Sequence, residues 1–155
     1  MDELDSAIVR HLQEDARQSN REIARKIGIA PSTCLERTRL LRRRGVIRGY
    51  HADIDLRALN RGAQAIVAVQ VRPLNRDVVD VFERLMAQMP EVLSVYTTTG
   101  SDDFLVHVTA QDIDHLHAFL LGQFTSRREI VGFRTSIIFQ HLGKQVLEPL
   151  PETYG

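Results

Sequence analysis

Ser19-Asn20-Arg21-Glu22-Ile23-Ala24-Arg25-Lys26-Ile27-Gly28-Ile29-Ala30-Pro31-Ser32-Thr33-Cys34-Leu35-Glu36-Arg37-Thr38-Arg39-Leu40-Leu41-Arg42-Arg43-Arg44-Gly45 is the stretch that decides how this chain is built. Ser19 to Glu22 fit a capping box, in which a serine hydroxyl and a glutamate three residues on satisfy each other's backbone donors. The helix so opened carries Ile23, Ala24 and Ile27, and Gly28 ends it, because a left-handed backbone costs glycine nothing. Pro31 then opens a further helix, where its missing N–H is not needed. That helix is expected to run to about Arg44 and stop at Gly45. Two short helices joined by a tight glycine-containing turn have the form of a helix-turn-helix.

The faces of the third helix carry the chemistry. At about 100° per residue, Cys34, Thr38 and Leu41 form one inward stripe. Ser32, Glu36, Arg39 and Arg43 lie opposite, with Thr33, Arg37 and Arg44 flanking them. The outward surface therefore begins with hydroxyls and continues with arginines. In a helix-turn-helix, N-terminal residues of the recognition helix meet base edges, and basic residues hold phosphates. Ser32, Thr33, Glu36 and Arg37 are thus the expected base readers, and Arg43, Arg44 and Arg48 the expected phosphate contacts, with Arg39 on the same face.

Upstream, Asp5 is expected to cap a first helix, with Leu4 and Val9 as a hydrophobic staple and Ile8 and Leu12 on one face. Downstream, residues 48–55 alternate apolar and polar and read as an extended strand leaving the helical domain. A short polar connection ends near Gly62. The expected boundaries are a helix-turn-helix domain, 1–49, a linker strand and hinge, 50–62, a second domain, 63–142, and a tail, 143–155.

Charge divides along the same lines. The 155 residues carry 20 Lys/Arg and 20 Asp/Glu, a formal net charge of zero. Residues 17–48, however, hold 10 basic residues against 2 acidic ones, the electrostatic footprint expected of a nucleic-acid-binding domain. A neutral total built from opposed blocks points to two domains with different partners.

The second domain contains a weak repeat. Strands are expected at 65–71, 92–99, 104–110 and 132–139. Helices are expected at 77–89, with Val78, Phe82, Leu85 and Met89 on one face, and at 113–124, with Ile113, Leu116 and Leu120 aligned. The order βαββαβ gives an α+β, ferredoxin-like domain with both helices on one face of a four-stranded sheet. The other face needs a cover, and a second copy of the chain is the simplest.

Several chemistries find no support. At 43 % hydrophobic and 26 % charged residues, the composition is that of a soluble globular protein. No apolar run approaches the roughly 18–20 residues of a membrane span, and the acidic start lacks the positive region of a signal peptide, so a cytoplasmic protein is expected. The single cysteine, Cys34, lies on the inward stripe and reads as a small buried hydrophobe. His115 and His117 point to different sides of a helix and cannot chelate together, and His107 and His141 have no evident co-ligand. Asp102 and Asp103 have no nucleophile or histidine placed beside them. The chain is read as a non-enzyme without metal or cofactor.

Leu4-Asp5, Arg21-Glu22-Ile23-Ala24, Pro31 to Arg37 and Gly45-Val46-Ile47-Arg48-Gly49-Tyr50, followed by Pro90-Glu91-Val92 and Thr99-Gly100-Ser101-Asp102-Asp103-Phe104-Leu105, together carry a resemblance. Residues 4–50 and 63–142 resemble the Lrp/AsnC (feast/famine) transcriptional regulators of bacteria and archaea. The resemblance implies a winged-helix-like helix-turn-helix that binds double-stranded DNA, and a C-terminal domain that senses a small molecule, usually an amino acid. It further implies homodimers that assemble into octamers, with the effector held between dimers near the turn joining the second and third sheet strands. Carried over residue by residue, that turn supplies Thr99, Gly100, Ser101, Asp102 and Asp103, with Thr135 on the last strand. The alternative is an amino-acid-sensing oligomeric module acting through protein partners rather than DNA.

Two residues depart from the family pattern. Ala30 stands where a serine often precedes the proline, so the hydroxyl cap is missing, at a cost of about 1 kcal/mol; Ser32 or Thr33 is the available substitute. Asp102 adds a carboxylate beside Asp103, which by charge alone should favour an amino group on the ligand over a carboxylate.

Overall fold

The computed structural model describes residues 1–151 and divides the chain into two compact units. One comprises residues 1–53 together with the segment from Leu142 onward, and the other residues 54–141.

The first unit holds three helices, α1 (Glu3–Glu14), α2 (Asn20–Ile27) and α3 (Pro31–Arg43). Helix α2 opens with the full reciprocal box between Ser19 and Glu22, and closes on Gly28 at φ +74°, whose N–H donates to the Ala24 carbonyl. The expected cap of α1 is corrected by three residues. Asp2, not Asp5, is the N-cap, its Oδ1 accepting the Asp5 N–H at 2.8 Å. Leu4 and Val9 therefore both lie inside the helix, and no staple brackets its entry. Ile8, Ile23, Ala24, Cys34 and Leu41 form the buried core, with Val9, Leu12, Ile27, Ile29 and Ile47 packed against it. Each fully buried Ile or Leu contributes about 1.5–3 kcal/mol, so this is a small core.

The segment from Leu142 is more than a free tail. The Gln13 side chain donates to the Leu147 carbonyl and accepts from its N–H, both at 2.9 Å. Arg10 pairs with Glu148 at 2.9 Å. The last four residues of the expected tail, 152–155, lie outside the described residues.

The second unit is a four-stranded antiparallel sheet of β1 (Ala63–Val71), β2 (Val92–Thr97), β3 (Phe104–Ala110) and β4 (Ile130–Ile137). Its order is β2-β3-β1-β4, the ferredoxin-like arrangement. Helices α4 (Arg76–Ala87) and α5 (Ile113–Leu120) complete it. Strand β1 alternates strictly: Ala63, Ala65, Val67, Val69 and Val71 are buried, and the residues between them half-buried. Phe82 of α4 stacks on Phe104 of β3 with centroids 4.3 Å apart.

Several expectations shift in detail. On α4 the deep positions are Phe82 and Met86, while Leu85 is only half-buried. Ile113 is exposed, and α5 buries Leu116, Phe119 and Leu120. The expected helix to residue 124 ends at Leu120 and continues as a single π-helical turn, Leu121–Thr125. There the Thr125 and Ser126 hydroxyls donate to the carbonyls of Leu121 and Gly122, and such bonds compete with the helical ladder. The expected strand over 48–55 is not formed. Its alternation is a strand pattern, but a strand also needs a ladder for its N–H and C=O groups, and among the described residues this segment pairs with none.

Candidate nucleic-acid interface and ligand-binding turn

Helix α3 begins on Ala30 without a side-chain cap, with Pro31 at its first position. Ser32 and Thr33 are exposed. Neither hydroxyl substitutes for the missing cap: among the described residues they make no side-chain hydrogen bond. Both are left facing solvent at the N-terminal end of the helix, where unpaired backbone N–H groups gather. Cys34, Thr38 and Leu41 are buried as expected, and burial raises the Cys34 thiol pKa, so this cysteine is no ready nucleophile.

Further along, Arg39, Arg42, Arg43 and Arg48 line a cleft of about 520 Å³ with Glu36 and Ile47. Glu36 holds Arg43 at 3.3 Å, and the Arg42 guanidinium sits 5.9 Å from the centre of the Tyr50 ring, within cation–π range. Four guanidiniums against one carboxylate make the cleft a surface for anions. Tyr50 is an addition to the expected site.

Arg37 differs from its expected role. Its Nη1 donates to Asp2 at 2.6 Å and to Asp5 at 2.8 Å, so its guanidinium is engaged with α1 instead of projecting freely toward a base. These bonds raise the Arg37 pKa. The Asp5 N–H, followed by Arg37, holds the Asp2 carboxyl below the usual carboxylate range. The sequence held a sign of this: Arg37 lies three residues after Cys34 and four before Leu41, and such neighbours share a helix face. Arg44 leans the same way, 4.0 Å from Asp5.

In the second unit, the turn after β2 contains Thr99, Gly100, Ser101, Asp102 and Asp103. Gly100 takes φ +121°, a conformation side chains rarely adopt. Asp103 stitches the turn to the end of β1. Its N–H donates to the Val69 carbonyl at 2.9 Å, and its Oδ2 accepts from the Val71 N–H at 2.8 Å and from Arg72 at 2.9 Å. Asp102 accepts from Arg134 of β4 at 2.6 Å and from the Ser101 hydroxyl at 3.0 Å. Gln70 donates to the Ser101 carbonyl at 2.7 Å.

These pairings overturn the charge expectation for Asp102. Each aspartate has its own arginine, so the turn presents no surplus of negative charge to a ligand. Thr135 is not brought to the turn's polar cluster. It pairs with Val67 on the helix-covered side of the sheet, whereas Arg134 pairs with Ala68 on the other side. At the opposite end of β1, a smaller cleft of about 180 Å³ includes Arg61, Glu91, Thr109 and His115. Arg61 bonds Thr109 at 2.7 Å and His115 pairs with Glu91 at 3.3 Å. Among the described residues, no three His, Cys, Asp or Glu side chains are grouped as a metal site would need. Among the described residues, no helix is long and apolar enough to cross a membrane.

Two family models match the chain. Residues 1–42 match the AsnC-type helix-turn-helix domain and residues 64–146 the Lrp/AsnC ligand binding domain. The chain belongs to the Lrp/AsnC family of transcriptional regulators. Among Lrp/AsnC proteins, it is 39 % identical over 142 residues to the HTH-type transcriptional regulator AldR of Mycolicibacterium smegmatis, covering 92 % of this chain and 83 % of that one. It is 34 % identical over 152 residues to the transcriptional regulator AzlB of Bacillus subtilis, covering 98 % and 97 %. Its fold matches the crystal structure of the regulator NMB0573 in complex with L-Met from Neisseria meningitidis. The TM-score there is 0.87 at 27 % identity, over 98 % of this chain and 97 % of that one. Escherichia coli AsnC matches with a TM-score of 0.85 at 25 % identity, over 96 % and 99 %. Like these relatives, the chain is a transcriptional regulator and not an enzyme.

Proposed function

We propose that this Lrp/AsnC regulator binds double-stranded DNA through α3 and that an amino acid, bound at the Thr99–Asp103 turn, modulates that binding. Ser32, Thr33 and Glu36 read base edges, and Arg39, Arg42, Arg43 and Arg48 hold phosphates, with Arg44 at the rim. The observation that carries this reading is the four-arginine cleft directly beyond two unpartnered hydroxyls on one helix. Phosphate contacts fix register while base contacts carry sequence, and α3 offers both along its length.

The amino-acid effector is supported by the ligand-binding domain match and by the L-Met complex of the Neisseria relative. With Asp102 and Asp103 each paired to an arginine, the turn offers both signs of charge, as a zwitterion requires. The sheet face away from the helices bears Ile66, Ala68, Leu105 and the exposed Tyr96. A second copy covers it, giving a dimer with two recognition helices and a roughly palindromic operator. Dimers then join, toward an octamer, with the effector between them, and the ligand acts through a difference in affinity between assembly states.

The test is fluorescence anisotropy of the full-length protein on a labelled 30-base-pair duplex at several salt concentrations, repeated with each of the twenty amino acids. Log affinity should fall with log salt by about 0.9 per phosphate contacted, and at least one amino acid should shift the curve. Binding that is absent at low salt would favour a module acting through protein partners.

A further inference from the structure

We propose that Arg37 is a positioning residue for DNA recognition: held by Asp2 and Asp5 of α1, it sets the roll at which α3 presents Ser32, Thr33 and Glu36, and itself touches no base. The inference rests on the DNA-binding reading above and refines it.

The geometry favours a lock over a contact. One nitrogen, Nη1, reaches both Asp2 and Asp5, and hydrogen bonds between ionised groups are shorter and stronger than neutral ones. Asp5 is buried, and its second oxygen faces Arg44. The same carboxylate therefore faces two arginines seven residues apart, Arg37 on α3 and Arg44 at its C-cap. The exposed Arg44, at 4.0 Å, adds little; the bonds of Arg37 to both Asp2 and Asp5 are what restrain the roll of α3. The apolar contact beneath cannot do so alone, because α3 contributes only Cys34 and Leu41 to the fully buried apolar core, and hydrophobic burial is non-directional.

Asp2 links the lock to the fold of α1. Its Oδ1 caps the helix through the Asp5 N–H and its Oδ2 holds Arg37. The first turn of α1 and the seating of α3 thus form together. This also explains why a unit that binds a polyanion keeps two carboxylates beside its recognition helix. They weaken the attraction of DNA in general while fixing the face that distinguishes one sequence from another.

The sign of a charge-removing substitution separates this role from that of a phosphate contact held in reserve. The full-length protein first selects a preferred duplex from a randomised pool. Its affinity is then compared with that for an unrelated duplex, in the parent and in Asp2→Asn and Asp5→Asn variants. Asparagine still caps a helix, so Asp2→Asn keeps α1 folded even if Asp5→Asn does not. Positioning predicts binding to the preferred duplex weakened by roughly tenfold, within the range of a lost base contact. Binding to the unrelated duplex stays equal or tightens, so the preference collapses while the salt slope holds. Arg37→Lys, which keeps the charge but carries it on a more flexible, strongly hydrated ammonium, should lose part of the preference. Tighter binding of both duplexes by the Asp variants, with a steeper salt slope, would show a released phosphate contact and overturn the inference alone. So would an unchanged preference in both. A parent that selects no sequence overturns the DNA-recognition reading and this inference with it.

Discussion

Aspartate–arginine pairs occur at both candidate sites, with equally buried aspartates and very different arginines. In the helical unit the arginine is drawn in with its partner: the Arg37 side chain is 28 % exposed and Asp5 12 %. At the turn of the sheet unit only the aspartates are drawn in, at 13 % and 12 %, while Arg134 and Arg72 stay 66 % and 56 % exposed. Identical chemistry therefore does different work. The first pair ties α3 to α1. The second fixes a backbone turn and leaves guanidiniums exposed to solvent.

The contrast breaks most readily at the cleft, whose arginines have no comparable acidic partners. Replacing Arg39, Arg43 and Arg48 together with alanine should reduce duplex affinity by roughly a hundredfold at moderate salt. The slope of log affinity against log salt should fall by up to about 2.7, or 0.9 for each phosphate contact removed. Anisotropy titrations across a salt series would measure both. An unchanged slope would place the DNA elsewhere.

Next comes the turn. Asp103→Ala leaves the Val71 N–H and Arg72 without their partner, and hydrogen bonds to charged groups are worth about 1.5–3 kcal/mol. Urea unfolding followed by a probe in the sheet unit should show a loss of that order, together with loss of any amino-acid response. Asp102→Ala should cost under about 1 kcal/mol, since its partner Arg134 is mostly solvated. Equal losses for the two would erase the distinction between an aspartate that fixes the backbone and one held by a solvated arginine.

Helix caps give smaller effects. Ser19→Ala should destabilise the helical unit by about 1 kcal/mol, and Ala30→Ser should stabilise it by about 0.5–1 kcal/mol by supplying the cap α3 lacks. Thermal melts of the two variants should move in opposite directions. The smallest expected effect is a titration. Asp2 has a lowered pKa, so its contribution is fully present above the ordinary aspartate value of about 3.9 and is lost as pH falls through the lower folded value. An NMR titration of its carboxyl should show a midpoint below that ordinary value, moving up in Arg37→Met.

Periodicity and punctuation made most of the fold legible. Ser19, Gly28 and Pro31 announce helix ends by local chemistry, and the repeated strand-helix-strand pattern fixes the sheet class. What stayed hidden depends on partners distant in sequence. Asp5 is a natural cap in the sequence until its own N–H is seen to donate to Asp2 and both carboxylates are seen to hold Arg37. The pair Asp102–Arg134 depends on the β1–β4 register, in which Arg134 and Thr135 fall on opposite faces, and a register is not read from one strand's sequence. The alternation in 48–55 records a strand pattern but says nothing of its partner.

Amide hydrogen exchange on the full-length protein, with and without a saturating duplex, locates the DNA most directly. Slowed exchange should concentrate in α3 and the segment to Arg48, strongest at Ser32, Thr33 and residues 42–48, with β2 and β3 unchanged. Protection confined to the sheet unit, or none at saturation, would contradict DNA recognition by α3.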